Sequence, residues 1–118
     1  MLNSAKPYSK YVHDAIRGIK LHIDANPFQY KTAAELLEHV CSPNRSAVEK
    51  AFKDLYGFGI KEYQVKQRLE ASKKFLEEGM SKKLAASKCL YKSQSAYAAA
   101  FKKEFGMTPT DWQLQYAV

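Results

Sequence analysis

The sequence predicts an all-α chain of about seven helices, and three observations carry that expectation. Apolar residues recur at spacings of three and four, the period of a helix buried along one side. No stretch alternates apolar and polar residues with the two-residue period of a strand. A long segment also repeats itself at an offset of 49 residues, keeping helix starts, apolar positions and stop glycines in register.

The first helix is expected over about residues 8–25, where Val12, Ile16, Ile19 and Ile23 form one stripe and Asn26-Pro27 ends it, since a residue before proline resists the α conformation. Thr32 suits the N-cap of a short second helix, with Glu35 three residues on completing a capping box and Leu36, Leu37 and Val40 as its apolar side. Cys41-Ser42-Pro43 marks a turn and a restart, with Ser42 as cap and Pro43 at the first helical position. The third helix carries Val48, Ala51, Phe52 and Leu55 and stops at Gly57. A longer fourth helix is expected over 60–78, with Tyr63, Leu69, Phe75 and Leu76 inward and Gly79 closing it. Ser81 caps a fifth that runs to about Cys89 and bears Leu84, Ala85 and Ala86. A sixth spans about 93–105 and ends at Gly106. Thr108-Pro109 repeats the cap-plus-proline start for a last helix containing Trp112 and Tyr116.

The repeat gives these elements an organisation. Ala51-Phe52-Lys53-Asp54-Leu55-Tyr56-Gly57 realigns on Ala100-Phe101-Lys102-Lys103-Glu104-Phe105-Gly106, and in the same register Thr32 meets Ser81, Val48 meets Tyr97 and Tyr63 meets Trp112. A solenoid needs about three or more repeats to bury its faces. Two copies of a pair of short helices joined by a tight turn fit better, and that pair is the outline of a helix-turn-helix. The expected division is a first helix-turn-helix subdomain over 8–58, a linker helix over 59–79 and a second subdomain over 80–117. The expected helix over 60–78 within that linker is roughly 28 Å long at 1.5 Å per residue. Successive major grooves on one face of DNA lie about 34 Å apart, so such a rod can hold two recognition helices at about one DNA turn.

Composition sets limits on function. The 118 residues carry 19 Lys+Arg against 12 Asp+Glu, a formal charge of +7, which permits a nucleic-acid partner without specifying one. The surplus is uneven: residues 79–105 hold Lys82, Lys83, Lys88, Lys92, Lys102 and Lys103 against the single acid Glu104. No apolar run approaches the roughly 18 residues of a membrane span, and the start lacks the apolar stretch of a signal peptide. Two cysteines make no disulfide framework, which favours a reduced, cytoplasmic setting, and Cys41 and Cys89 read as small hydrophobes. His13, His22 and His39 are scattered without metal spacing; His39 suits the C-terminal end of a helix dipole. Phosphate loops, nucleophile elbows and catalytic carboxylate pairs are missing, so no enzyme and no cofactor are expected.

The string Tyr97-Ala98-Ala99-Ala100-Phe101-Lys102-Lys103-Glu104-Phe105-Gly106-Met107-Thr108-Pro109, preceded by Ser93-Gln94-Ser95, resembles the C-terminal signature of the AraC/XylS transcription regulators. Arg68-Leu69-Glu70-Ala71-Ser72-Lys73-Lys74-Phe75-Leu76 resembles that family's linker helix, and the likeness covers about residues 8–116. The resemblance implies a bacterial, double helix-turn-helix, sequence-specific DNA-binding domain acting at promoters. Its implied partners are double-stranded DNA and RNA polymerase, with no membrane, and a small-molecule effector only through a separate N-terminal domain. The chain departs from the family pattern at several places. Cys41 and Leu90 stand where the turns often have glycine, Leu37 replaces an alanine, Lys82 an apolar residue and Ala99 an arginine.

The candidate DNA-binding residues follow from the starts of the two recognition helices. In the first unit they are Asn44, Arg45, Ser46, Glu49 and Lys50, away from the apolar stripe. Arginine can pair bidentately with guanine and glutamate can accept from the cytosine amino group, while Asn44 and Lys50 suit phosphate equally. In the second unit they are Lys92, Ser93, Gln94 and Ser95, with Lys102 against phosphate; Gln94 suits adenine, and Ala96 or Ala99 a thymine methyl. Small residues beyond Ser95 make this unit a backbone anchor more than a base reader. Arg68 is expected to have a structural role, paired with a carboxylate. Two other readings use the same surface: a helical protein-interaction module whose basic face meets an acidic partner, and a nucleic-acid binder without sequence preference.

Overall fold

The computed structural model describes residues 8–40 and 44–117. They form seven helices and no strand: α1 (Lys10–Ala25), α2 (Ala33–Val40), α3 (Arg45–Tyr56), α4 (Ile60–Glu77), α5 (Lys82–Lys88), α6 (Gln94–Phe105) and α7 (Pro109–Tyr116). Starts at 33, 45 and 60 recur at 82, 94 and 109, each 49 residues on. The all-α expectation holds, and the repeat in the letters is a repeat in the backbone.

Local chemistry places most of these starts. Ser9 Oγ accepts from the Val12 N–H at 3.2 Å, so α1 begins at Lys10, two residues later than the apolar spacing suggests. Thr32 accepts from the Glu35 N–H at 3.1 Å, while its hydroxyl meets Glu35 Oε1 at 3.3 Å, so the reciprocal arm of the box reaches the side chain of the cap. Ser81, Ser93 and Thr108 accept from the N–H groups of Leu84, Ala96 and Asp111. The expected Ser42 cap and Pro43 start lie outside the described residues; the described part of α3 begins at Arg45, with Asn44 in the cap position. Gly57, Gly79 and Gly106 follow α3, α4 and α6 with φ near +85° (87°, 82° and 81°), a left-handed conformation that costs glycine nothing.

Two apolar cores form, one at each end of α4. The first gathers Val12, Ile16, Ile19 and Ile23 from α1, Leu36 and Leu37 from α2, Val48, Ala51 and Phe52 from α3, and Ile60 and Tyr63 from α4. The second gathers Leu69 and Leu76 from α4 with Ala85, Ala86, Cys89, Tyr97 and Phe101. Burying a side chain of this size is worth about 1.5–3 kcal/mol, so either set can offset much of the chain entropy of a small unit.

Several inward expectations are corrected. Leu55 (45% exposed), Leu84 (49%), Val40 (39%) and Tyr116 (54%) face outward, although their spacing matches the buried stripe. Each lies at the margin of a short helix, where the apolar stripe is wider than the surface available to cover it. Phe75 and Trp112 are half-buried beside the second core.

Candidate nucleic-acid interface

The two outward helix starts occupy equivalent places. Asn44, Arg45, Ser46, Glu49 and Lys50 are all exposed, while Val48, Ala51 and Phe52 turn the other side of α3 into the first core. Arg45 Nε lies 3.6 Å from Glu49 Oε1, one helical turn apart, with both side chains about half exposed. An exposed pair of this kind contributes little stability, so its geometry is open to exchange with another partner.

At the same offset α6 presents Ser93, Gln94 and Ser95, preceded by Lys92, all exposed. The Ser93 oxygen caps Ala96, which leaves its hydroxyl hydrogen to donate. Ala98 and Ala99 stand where the first unit has Glu49 and Lys50, and Ala96 and Ala99 are exposed. Lys102 is exposed two turns further along α6, away from the group at its start.

Two residues of α5 join this group: Lys83, expected only as part of the basic surplus, and Ser87, which the sequence does not single out. Lys83 and Ser87 on α5 face Tyr91, Lys92, Ser93 and Gln94 across a recess of about 400 Å³. Their position one turn apart on the outward side of α5 is the signal that points to them. Lys83, Lys92, Lys102 and Lys103 form no salt bridge among the described residues. Lys83 and Lys92, without a salt bridge among the described residues, flank the N-terminal dipole of α6 and make a surface suited to a polyanion, while Lys102 and Lys103 lie in the last turn of that helix.

The turn that aims α6 is tight. Leu90 adopts φ 67°, the single left-handed residue other than glycine among those described. The Leu90 N–H donates to the Ser87 carbonyl and that of Tyr91 to the Ala86 carbonyl, both at 3.0 Å. A glycine would enter this conformation without the roughly 1–2 kcal/mol that a Cβ costs. Cys41, the equivalent residue of the first unit, lies outside the described residues.

Polar side chains in the interior support the frame. Lys82 donates to Gln113 Oε1 at 2.5 Å, and Gln113 Nε2 donates to the Leu76 carbonyl at 2.8 Å, so the lysine found in place of an apolar residue ties α5 to α7 and α4. Arg68 is structural, but its expected carboxylate partner is corrected: it donates to the carbonyls of Pro27, Tyr30 and Lys31 at 3.1, 2.5 and 2.8 Å. Burial holds its guanidinium below the usual arginine value. The histidines are less scattered than their spacing implies, since His22 and His39 both stack on Tyr30, at 5.6 and 4.9 Å. His39 Nδ1 also meets the Glu35 carbonyl at 2.9 Å, near the end of α2. No cluster of three metal-ligating side chains occurs among the described residues. Cys89 is fully buried and its thiol is pushed up to about 11 by desolvation, which makes it an inert packing group.

Known proteins share this fold. The sequence pattern of a family described as a helix-turn-helix domain matches residues 41–115. A putative AraC-like transcription regulator of Streptomyces antibioticus is 35% identical over 94 residues, 79% of this chain and 30% of that protein. The chain thus spans under a third of the curated relative it matches. Among solved structures, the C-terminal domain of AraT, a response regulator from Geobacillus stearothermophilus, superposes with a TM-score of 0.69 at 20% identity, over 93% of this chain and 88% of that one. A DNA-binding transcriptional dual regulator from Escherichia coli K-12 does so with a TM-score of 0.70 at 24% identity, over 86% of this chain and 96% of that one. At those identities the two structures speak to the fold.

Proposed function

Because this chain belongs to the AraC-type helix-turn-helix family of DNA-binding transcription regulators, not to a family of enzymes, we propose that it reads two adjacent major grooves of one DNA face with α3 and α6. The observation that carries this reading is the repeated placement. Two outward, polar helix starts lie 49 residues apart on equivalent frames, joined by an 18-residue α4 that is about 27 Å long. The working division is 8–58, 59–79 and 80–117, as the repeat suggests.

In this reading Arg45 and Glu49 read bases, with Ser46 beside them and Asn44 and Lys50 on flanking phosphates. Lys92, Ser93, Gln94 and Ser95 seat the second helix, and Lys102 meets the backbone further along. The exposed alanines of α6 and the cationic recess beside its start favour anchoring over base discrimination in that unit. Action at a promoter, in the cytoplasm and beside RNA polymerase, belongs to the same proposal, as does any effector acting through another part of a longer protein. No helix of the described residues is long and apolar enough to cross a membrane.

Selection from a randomised duplex library at two salt concentrations tests the proposal. The expected outcome is one enriched bipartite site bound at least about 10³-fold tighter than random DNA. With roughly six phosphate contacts, the log–log salt slope is expected near −5. Arg45→Ala relaxes preference at one base position, whereas Lys102→Ala weakens all sequences alike and makes the slope shallower by about 1. Failure to enrich any sequence sinks the specific reading, and equal, sequence-blind losses from both variants overturn the assigned roles.

A further inference from the structure

A single helix is a weak way to hold two reading heads at a fixed angle, because either head can lean about its own end of the rod. Here the first unit has a second attachment. The loop between α1 and α2 runs along the middle of α4, where Gln64 and Arg68 are buried at 3% and 5% exposure. Arg68 spends its donors on the carbonyls of Pro27, Tyr30 and Lys31, and Gln64 Nε2 donates to those of Tyr30 and Thr32 at 3.1 and 3.2 Å. Thr32 is the residue directly before α2, so the helix-turn-helix of the first unit starts from a pinned point. Phe28, in the same loop, leaves its own unit: it packs against the second core and stacks on Phe75 at 5.4 Å. On its other side Arg68 borders, with Lys31, the Cys89-Leu90-Tyr91 turn that aims α6, across a cavity of about 330 Å³.

We propose that this strap, made of Phe28, Gln64 and Arg68 with the loop they hold, fixes the orientation of α3 relative to α6 and so makes the protein select DNA sites by the spacing of their two halves. The inference rests on the two-groove reading above and assigns the three side chains as positioning residues that touch no DNA. A buried guanidinium satisfied only by backbone carbonyls is a costly way to add stability; an apolar residue of similar size is often as good. Its directional, multiple donors are suited to holding a loop in one place. Rigid coupling is what turns two modest contacts into one tight one, and it is lost when geometry forbids both contacts at once.

The test uses the full chain and the duplex that the wild-type protein selects from a random library. Derivatives carry insertions of one to three base pairs between the halves, or one half scrambled. Two added pairs shift the second half by about 7 Å and about 70°. Wild type is expected to lose at least about tenfold in affinity on that insertion. In Gln64→Ala, Phe28→Leu and Arg68→Lys, affinity for the selected spacing falls, while the penalty for the insertion shrinks below about threefold and the half-scrambled duplex binds as it does to wild type. Circular dichroism reports whether each variant folds; should Arg68→Lys unfold, the milder Gln64→Ala and Phe28→Leu decide. An unchanged insertion penalty in the folded variants overturns the strap. So does an equal loss on every duplex, including the half-scrambled one. A wild-type protein indifferent to insertion, or selecting a single half, refutes the two-groove reading itself and the strap with it.

Discussion

Tyr97 shows how one side chain serves both packing and bonding. Its ring is wholly buried in the second core and its hydroxyl donates to Ser72 Oγ at 2.8 Å, which in turn donates to the Leu69 carbonyl at 2.7 Å. Desolvation pushes the phenol up to about 12, and it pushes the neighbouring Cys89 thiol up to about 11. Both groups hold their protons more tightly folded than unfolded, where the values are 10.0 and 9.0. Their contribution is therefore complete below pH 9 and is lost as pH rises through the window from 9 to 12. Urea midpoints are expected to fall steeply across that window, and Tyr97→Phe, with the phenol gone, to flatten its upper part. At neutral pH the same substitution costs about 1 kcal/mol for the lost hydrogen bond. The sequence made Tyr97 legible as a core residue through its match to Val48. Its partner was hidden, because Ser72 lies 25 residues away on another helix and nothing local marks a serine for burial. Arg68 was misread for a related reason: a buried cation is expected to seek an acid, and here backbone carbonyls take that place.

Helix boundaries are a matter of short-range chemistry, and they were the most readable layer. Serine, threonine, proline and glycine act within a turn of where they stand, so Thr32, Ser81 and Thr108 announce helices before any packing is known, while Ser93, expected as the first residue of the sixth helix, caps it instead. Removing the caps tests this directly. Ser81→Ala and Ser93→Ala are each expected to lower stability by about 1 kcal/mol in chemical denaturation, with helix content unchanged by circular dichroism. Which side of a helix is covered is a different question. Leu55 and Leu84 have the right period and remain exposed, because coverage depends on neighbours distant in sequence. The candidate DNA-facing residues stand out by exclusion from the apolar stripe at the starts of α3 and α6, so Lys83 is legible only as part of the basic surplus, and Ser87 not at all, until the recess they share with Lys92 and Gln94 is seen.

At the scale of the molecule, two cores and a shared helix divide the work. Phe52 and Phe101, equivalent in the repeat, sit wholly buried in the first and second cores. Truncating either to alanine is expected to cost about 3–5 kcal/mol. Amide hydrogen exchange is the informative readout: Phe52→Ala accelerates exchange chiefly in α1 and α3, and Phe101→Ala chiefly in α5 and α6. Uniform acceleration across all helices in both variants would show a single cooperative unit instead. The division into repeats was visible in the letters alone. The crossing of Phe28 from one unit to the other core was not, because no periodic pattern records where a loop goes.

The repeated frame also bears on how such a chain can change over generations. Positions 94, 95, 98 and 99 on α6 match 45, 46, 49 and 50 on α3, and two of these four pairs, Glu49 with Ala98 and Lys50 with Ala99, are charged in one copy and small in the other. Exposed substitutions there leave both interiors untouched and are usually worth within about 0.5 kcal/mol of stability. A duplicated scaffold can therefore drift in preference on one half while the other keeps its hold, and inheritance can explore new targets without first rebuilding a fold.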